Sequence, residues 1–174
     1  MIIGVRVGDV IADRYRVEEV LGAGAMGVVV AARHLGLDDP VAIKFLAQDL
    51  VESPNALGRF HREARAAARI KHEHVIRVHD VGKLASGVPY LVMERLAGSD
   101  LATLLIDEGP LPLAESVRYV REACAGIAEA HRHGIVHRDI KPSNLFCVRH
   151  ANGRRSVKVL DFGISKLIEP TPDG

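Results

Sequence analysis

His137-Arg138-Asp139-Ile140-Lys141-Pro142-Ser143-Asn144 is the stretch on which the reading of this chain turns. It fills H-R-D-x-K-P-x-N, a pattern whose six specified residue types are all present. It follows the end of a long helical pattern, in which Val117, Val120, Cys124, Ile127 and His131 recur at spacings of three and four and make one amphipathic face. Gly134 is placed to cap the C-terminus of that helix. Seventeen residues past Asn144 stands Asp161-Phe162-Gly163. Between the two motifs, strand-like Leu145 to Arg149 and Val157 to Leu160 are joined around Asn152-Gly153, a strong hairpin signal.

Upstream the chain reads as strands: Arg14 to Leu21, Gly27 to Arg33 and Pro40 to Leu46, rich in Val and Ile and separated by turn residues. A helical pattern runs from about Pro54 to Ile70, with Ser53 as N-cap. Two more strands are expected near Val75 to Val81 and Pro89 to Arg95, with Ser86-Gly87 in the turn between them. Gly22-Ala-Gly24-Ala-Met-Gly27 matches G-x-G-x-x-G, which alone fits a dinucleotide-binding turn, a phosphate-covering hairpin or a plain glycine turn. Asp38 and Asp39 keep the dinucleotide reading open. Against it, Val28-Val29-Val30 after the last glycine is a β-branched run, which favours a strand over a helix. Val41-Ala42-Ile43-Lys44 lies on the third strand, and Glu63 lies inside the following helix as a candidate partner for Lys44.

Four motifs in this order resemble the protein kinase superfamily, and specifically bacterial Hanks-type serine/threonine kinases; Met26 and Lys141 share that flavour. The resemblance runs from about Tyr15 to Lys166. It implies an α+β, kinase-like fold: an antiparallel β N-lobe with helix C, then the beginning of a helical C-lobe. In domain terms, residues 1–14 would be an N-terminal extension. Residues 15–174 would be a partial kinase domain, with N-lobe and hinge over 15–96 and an incomplete C-lobe over 97–174.

The implied activity is ATP-dependent transfer of the γ-phosphate to Ser/Thr hydroxyls of a protein substrate. Asp139 would accept the proton of the acceptor hydroxyl, and Lys141 would stabilise the γ-phosphate. Lys44, held by Glu63, would meet the α- and β-phosphates. Asn144 and Asp161 would hold Mg²⁺, or Mn²⁺ in its place. Leu21, Gly22, Gly24 and Gly27 would cover the nucleotide, and Val29, Ala42 and Leu145 would sandwich the adenine. Met93 would line the back of that pocket, and the backbones of Glu94 and Leu96 would hydrogen-bond the base. For Asp100 two readings stay open, a ribose contact and a cap on the helix that begins near Leu101. His137 and Phe162 are expected to pack and align the loops.

Bulk composition is consistent with a soluble globular chain: 48% apolar, 26% charged and net charge +1. It gives no nucleic-acid footprint, and without Trp and with 4% aromatics no stacking platform. No apolar run is long enough to span a membrane, and no signal peptide opens the chain. Cys124 and Cys147 are expected to be buried thiols in a reducing, cytoplasmic setting. His72, His74 and His79 fit a loop and strand better than a metal site. The family's A-P-E segment and later helices have no counterpart up to Gly174. The alternative reading is therefore a truncated nucleotide-binding or interaction fragment without independent kinase activity. The stripe Val117, Val120, Cys124, Ile127 is then expected to be left uncovered, favouring self-association.

Overall fold

A computed structural model describes residues 4–24, 27–47, 64 and 67–161. They divide into two compact units. One holds the described residues up to 64 together with 78–95; the other holds 67–77 and 96–161.

The first unit is a six-stranded antiparallel sheet of order β1-β2-β3-β4-β6-β5. Its strands are Val10–Ile11 (β1), Tyr15–Gly24 (β2), Gly27–His34 (β3), Asp39–Leu46 (β4), Val78–Lys83 (β5) and Pro89–Glu94 (β6). Alternation along β4 divides its side chains between two faces. Val41, Ile43 and Phe45 join Val28, Val30, Tyr90 and Val92 in an apolar core. Full burial of side chains such as Ile43 and Phe45 is worth roughly 1.5–3 kcal/mol each. The opposite face of β4 carries Ala42 and Lys44. Gly27 opens β3 opposite Leu46 at the end of β4, with φ +127°, and a Cβ there would lie 1.9 Å from the Phe45 carbonyl oxygen.

Strand β5 begins at Val78, later than the expected Val75. The preceding residues are claimed by the second unit, where Val75 bridges Val159 in parallel and Ile76 N–H donates to the Val159 carbonyl at 3.0 Å. Of the expected helix at about 54–70, Ala64 and Ala67 are described as helical, and both are buried.

The second unit has a three-stranded sheet of Gly98–Asp100 (β7), Leu145–Arg149 (β8) and Arg155–Val159 (β9), with two helices, Leu101–Glu108 (α1) and Leu113–Arg132 (α2). A 3-10 turn, Pro142–Asn144, leads into β8. The Asn152-Gly153 hairpin is present, with Gly153 at φ +79°.

Helix α2 leaves most of its apolar stripe uncovered and buries a different face. The face it buries is Tyr119, Ala123, Gly126 and Ala130, which packs small residues close to β9. A Cβ on Gly126 would come within 2.5 Å of the His74 carbonyl oxygen, so the helix approaches the turn at His74 more closely than any larger residue permits. The stripe of Val117 and Val120 is 52% and 60% exposed, and Cys124 is exposed rather than buried. Ile127 is partly buried against the core. Leu113, Val136 and Ile140 add to the exposed apolar surface. Tyr119, 1% exposed, donates its hydroxyl proton to Glu115 and accepts from the Cys147 thiol, tying α2 to β8.

Gly27→Ala and Gly126→Ala are each expected to lower unfolding free energy by about 1–3 kcal/mol, through a backbone clash the neighbours cannot relieve. Gly22→Ala, where a Cβ meets no described atom, is expected to stay within about 0.5 kcal/mol of wild type. Urea denaturation followed by circular dichroism measures all three.

Candidate active site

The site residues of the first unit share one face of its sheet. Register sets Val29 of β3 opposite Lys44 of β4, and Lys44 opposite Leu91 of β6; Ala42 stands between Ala31 and Met93. Val29, Ala31, Ala42, Lys44, Leu91 and Met93 therefore line a single surface, with the core on the reverse side. Lys44 is only 8% exposed among these apolar neighbours. A lysine stem buries readily in such a place while its ammonium requires an anion. The proposed partner, Glu63, lies outside the described residues, as do Met26 and Phe162.

Strand β2 reaches this surface irregularly, with register shifts between Val17 and Glu19 and between Val20 and Gly22. Such bulges re-aim a strand end. Leu21 is exposed, and added Cβ atoms at Gly22 or Gly24 would meet no described atom, so packing does not require glycine at either position. A cavity of about 470 Å³, lined in part by Arg14, Leu37, Val41, Asp80 and Val92, lies elsewhere. Val41 and Val92 leave their strands on the face opposite Ala42 and Lys44.

In the second unit, one loop gathers three of the candidate residues. The Lys141 ammonium sits 2.9 Å from Asp139 Oδ2. Asn144, 8% exposed, donates from Nδ2 to the Asp139 carbonyl at 2.7 Å and to Asp139 Oδ2 at 3.0 Å. With Nδ2 committed, the amide oxygen of Asn144 takes no hydrogen bond among the described residues, and neither does Asp139 Oδ1. The carboxyl of Asp139 is held below its ordinary range, chiefly by the hydrogen bond from Lys141 and further by Asn144, against a smaller opposing effect of desolvation.

Two neighbouring peptide groups lock this loop to the segment ending at Asp161. His137, 2% exposed, accepts from the Asp139 N–H at Nδ1 (3.3 Å), so its proton is on Nε2, which donates to the Leu160 carbonyl at 2.6 Å. The Leu160 N–H donates to the Asn144 carbonyl at 2.9 Å. Arg138 and Asp161 adopt left-handed backbone, with φ +64° and +52°. Such conformations cost energy for side chains with a Cβ, and they concentrate at functional loops. The Leu160 clamp and the two left-handed residues escaped sequence reading, because backbone groups and dihedrals leave no residue-type signal.

Asp100 caps α1. Its Oδ1 accepts from the N–H groups of Ala102 and Thr103, and its Oδ2 from the Thr103 hydroxyl. Leu96 and Leu145 belong to the second unit, whereas Met93 and Glu94 close β6 in the first. His74 contacts the Val157 carbonyl through Nδ1, and His72 Nδ1 accepts from the His74 N–H. These are loop roles.

Comparison with known proteins agrees with the geometry. Residues 15–173 match the protein kinase domain. This chain belongs to the protein kinase family. It is 42% identical over 168 residues to the serine/threonine-protein kinase pkn3 of Myxococcus xanthus, covering 97% of this chain and 31% of that protein. It is 38% identical to serine/threonine-protein kinase PknB of Mycobacterium tuberculosis, over 91% of this chain and 25% of that one. The crystal structure of the M. tuberculosis PknI kinase domain superposes with a TM-score of 0.82 at 31% identity, covering 92% of this chain and 64% of that one. The fold is thus protein kinase-like, and the chain spans about a quarter to a third of the length of these curated relatives.

Lys141→Met is expected to return the Asp139 carboxyl toward its ordinary range. The depressed value means that Asp139 contributes stability above the unfolded carboxylate pKa, lost as pH falls through the folded value. Without Lys141 that loss moves to higher pH. NMR titration of the Asp139 side-chain carboxyl reads the shift directly, and an unchanged midpoint would contradict the assignment of Lys141 as its main cause.

Proposed function

We propose that this chain is the nucleotide-binding and phosphoryl-transfer part of an ATP-dependent protein serine/threonine kinase. The observation that carries the reading is the Asp139–Lys141–Asn144 constellation, in which three polar side chains are bonded together yet keep one oxygen of Asp139 and one of Asn144 unused. The serine/threonine kinases it resembles and the family match support the same conclusion.

In the first unit, the backbone of 22–27 would approach the phosphates closely, with Leu21 at its edge, while Lys44 would meet the α- and β-phosphates. Val29, Ala42 and Met93 would face the adenine, and Glu94 would offer it backbone hydrogen bonds. In the second unit, Leu96 would offer a backbone hydrogen bond and Leu145 an apolar contact to a base. Asp100 would offer a ribose hydroxyl the lone pairs that its capping bonds leave. Asn144 through its unused oxygen, and Asp161 through its carboxylate, form the hard oxygen donor set that Mg²⁺ or Mn²⁺ prefers. Such an ion neutralises phosphate charge when bound.

Asp139 Oδ1 is the atom we assign to the acceptor hydroxyl, because Oδ2 is occupied by Lys141 and Asn144. The lowered pKa makes Asp139 a weak base, suited to orienting the hydroxyl and taking its proton late, as a loose phosphoryl-transfer transition state allows. One of the three Lys141 donors is spent on Asp139, which leaves two for the γ-phosphate. Among the described residues no helix is long and apolar enough to cross a membrane. Two free thiols, Cys124 and Cys147, support a reducing, cytoplasmic setting. The exposed Val117–Val120 face of α2 supports self-association, which Val120→Glu should reduce in sedimentation velocity.

Calorimetric titration with ATP and Mg²⁺ should show saturable binding that weakens about tenfold or more, at least ~1.4 kcal/mol, in both Lys44→Ala and Asp161→Asn. Asp139→Asn should leave binding intact and lower transfer to a protein acceptor by about 10²–10⁴. No binding by the wild-type chain would remove the activity from this chain and favour the alternative of an interaction fragment.

A further inference from the structure

We propose that the basic end of the β8–β9 hairpin, with the adjoining side of α1, docks an acidic peptide segment of a partner protein. The tip is well fixed. Gly153 turns it, Arg154 N–H donates to Asn152 Oδ1 at 3.0 Å, and His150 N–H donates to the Arg154 carbonyl at 2.9 Å. The His150 ring meets the Ser156 hydroxyl at 2.7 Å. This register sets Arg149 directly across from Arg155. Like charges facing across a ladder repel, so the pair works against the hairpin that carries it. A sequence that retains a locally unfavourable pair marks a place where something besides folding is served.

Only part of this charge is answered. Arg155 makes a two-pronged contact with Glu108 at the end of α1, 2.7 Å on each arm. The charge of Arg149 also lowers the Glu108 carboxyl pKa, after the larger effect of Arg155, which puts Arg149 within electrostatic reach of the same spot. Arg118, the next guanidinium along, is already committed to Glu115, Glu122 and the Arg155 carbonyl. Arg149 and Arg154 are exposed and have no carboxylate partner among the described residues. Two arginines, Arg155 and Arg149, thus act on one glutamate, and Arg154 adds a third exposed guanidinium at the hairpin tip, in a chain whose net charge is only +1.

The chemistry of the patch selects the partner. Guanidinium forks match carboxylates two bonds at a time. Leu105, 40% exposed, lies one turn before Glu108 on the same side of α1, and so offers an aliphatic contact beside the charges. A nucleic acid would call for a longer basic track and exposed aromatic rings for the bases. An anionic membrane would call for a larger polybasic cluster. A short acidic segment carrying an aliphatic residue fits what is present. The inference does not depend on the kinase activity.

The test is fluorescence anisotropy of the full chain with a short labelled peptide of Glu with interspersed Leu. Arg149→Ala/Arg154→Ala should weaken binding about tenfold or more, while Arg16→Ala/Lys83→Ala, which removes the same charge elsewhere, should not. Glu108→Gln releases Arg155 from its internal competitor and should tighten binding, a direction that unfolding cannot mimic. The proposal is overturned by no wild-type binding at low salt, by equal loss in both double variants, or by weakened binding in Glu108→Gln. Tighter binding of a single-stranded oligonucleotide or of phosphatidylserine vesicles, abolished by Arg149→Ala/Arg154→Ala, would overturn the peptide assignment.

Discussion

The backbone of Leu160 is held at both of its polar groups, and the 137–144 loop depends on that clamp. Its N–H is taken by the Asn144 carbonyl and its carbonyl by His137 Nε2. The backbone of one residue, Leu160, therefore ties the start and the end of the 137–144 loop to the position before Asp161. Because His137 is almost fully buried, its Nε2–H would be costly to leave unpaired, and satisfying it fixes both ring orientation and tautomer. Asn144 repeats the logic with its side chain, holding the Asp139 carbonyl and carboxylate together. The consequence is chemical: Asp139 and Asn144 each present one chosen oxygen, and the other polar atoms are consumed in keeping it aimed.

The first unit solves a different problem, keeping a lysine nearly buried. A two-sided sheet does this by separating tasks between faces. Val41, Ile43 and Phe45 supply cohesion on one side, so the other can afford Lys44 among Val29, Ala42, Leu91 and Met93. A register slip of a single residue would send Lys44 into the core and Phe45 to the site. The cross-strand pairs that fix β4 between β3 and β6 thus decide on which face Lys44 stands.

Much of the site was legible in order and spacing. Asp139, Lys141 and Asn144 lie within one short loop, and local sequence was enough to bring them together. The strand after Gly27 was legible from its β-branched run, which separated a hairpin from a dinucleotide-binding turn. Helix α2 was legible as a helix with an uncovered apolar stripe, but the face it buries was not legible. Its apolar stripe of Val117, Val120 and Cys124 looks the more hydrophobic face. Tyr119, Ala123, Gly126 and Ala130 are buried instead, because close approach to the His74 carbonyl rewards small residues over large ones.

The sequence by itself determined the family and the identity of the chemical groups, since residue type at fixed spacing is a local property that survives without coordinates. Tertiary structure decided what each group spends its bonds on. Asp100 became a helix cap because α1 begins one residue later and offers its unpaired N–H groups. Cys124 faces outward because packing chose the other side of its helix. Arg149 meets Arg155 because the Asn152-Gly153 turn sets that register. In each case the deciding partner lies on another element or arises from the backbone itself, and hydrogen bonds and close packing act through space, which residue spacing along the chain does not record.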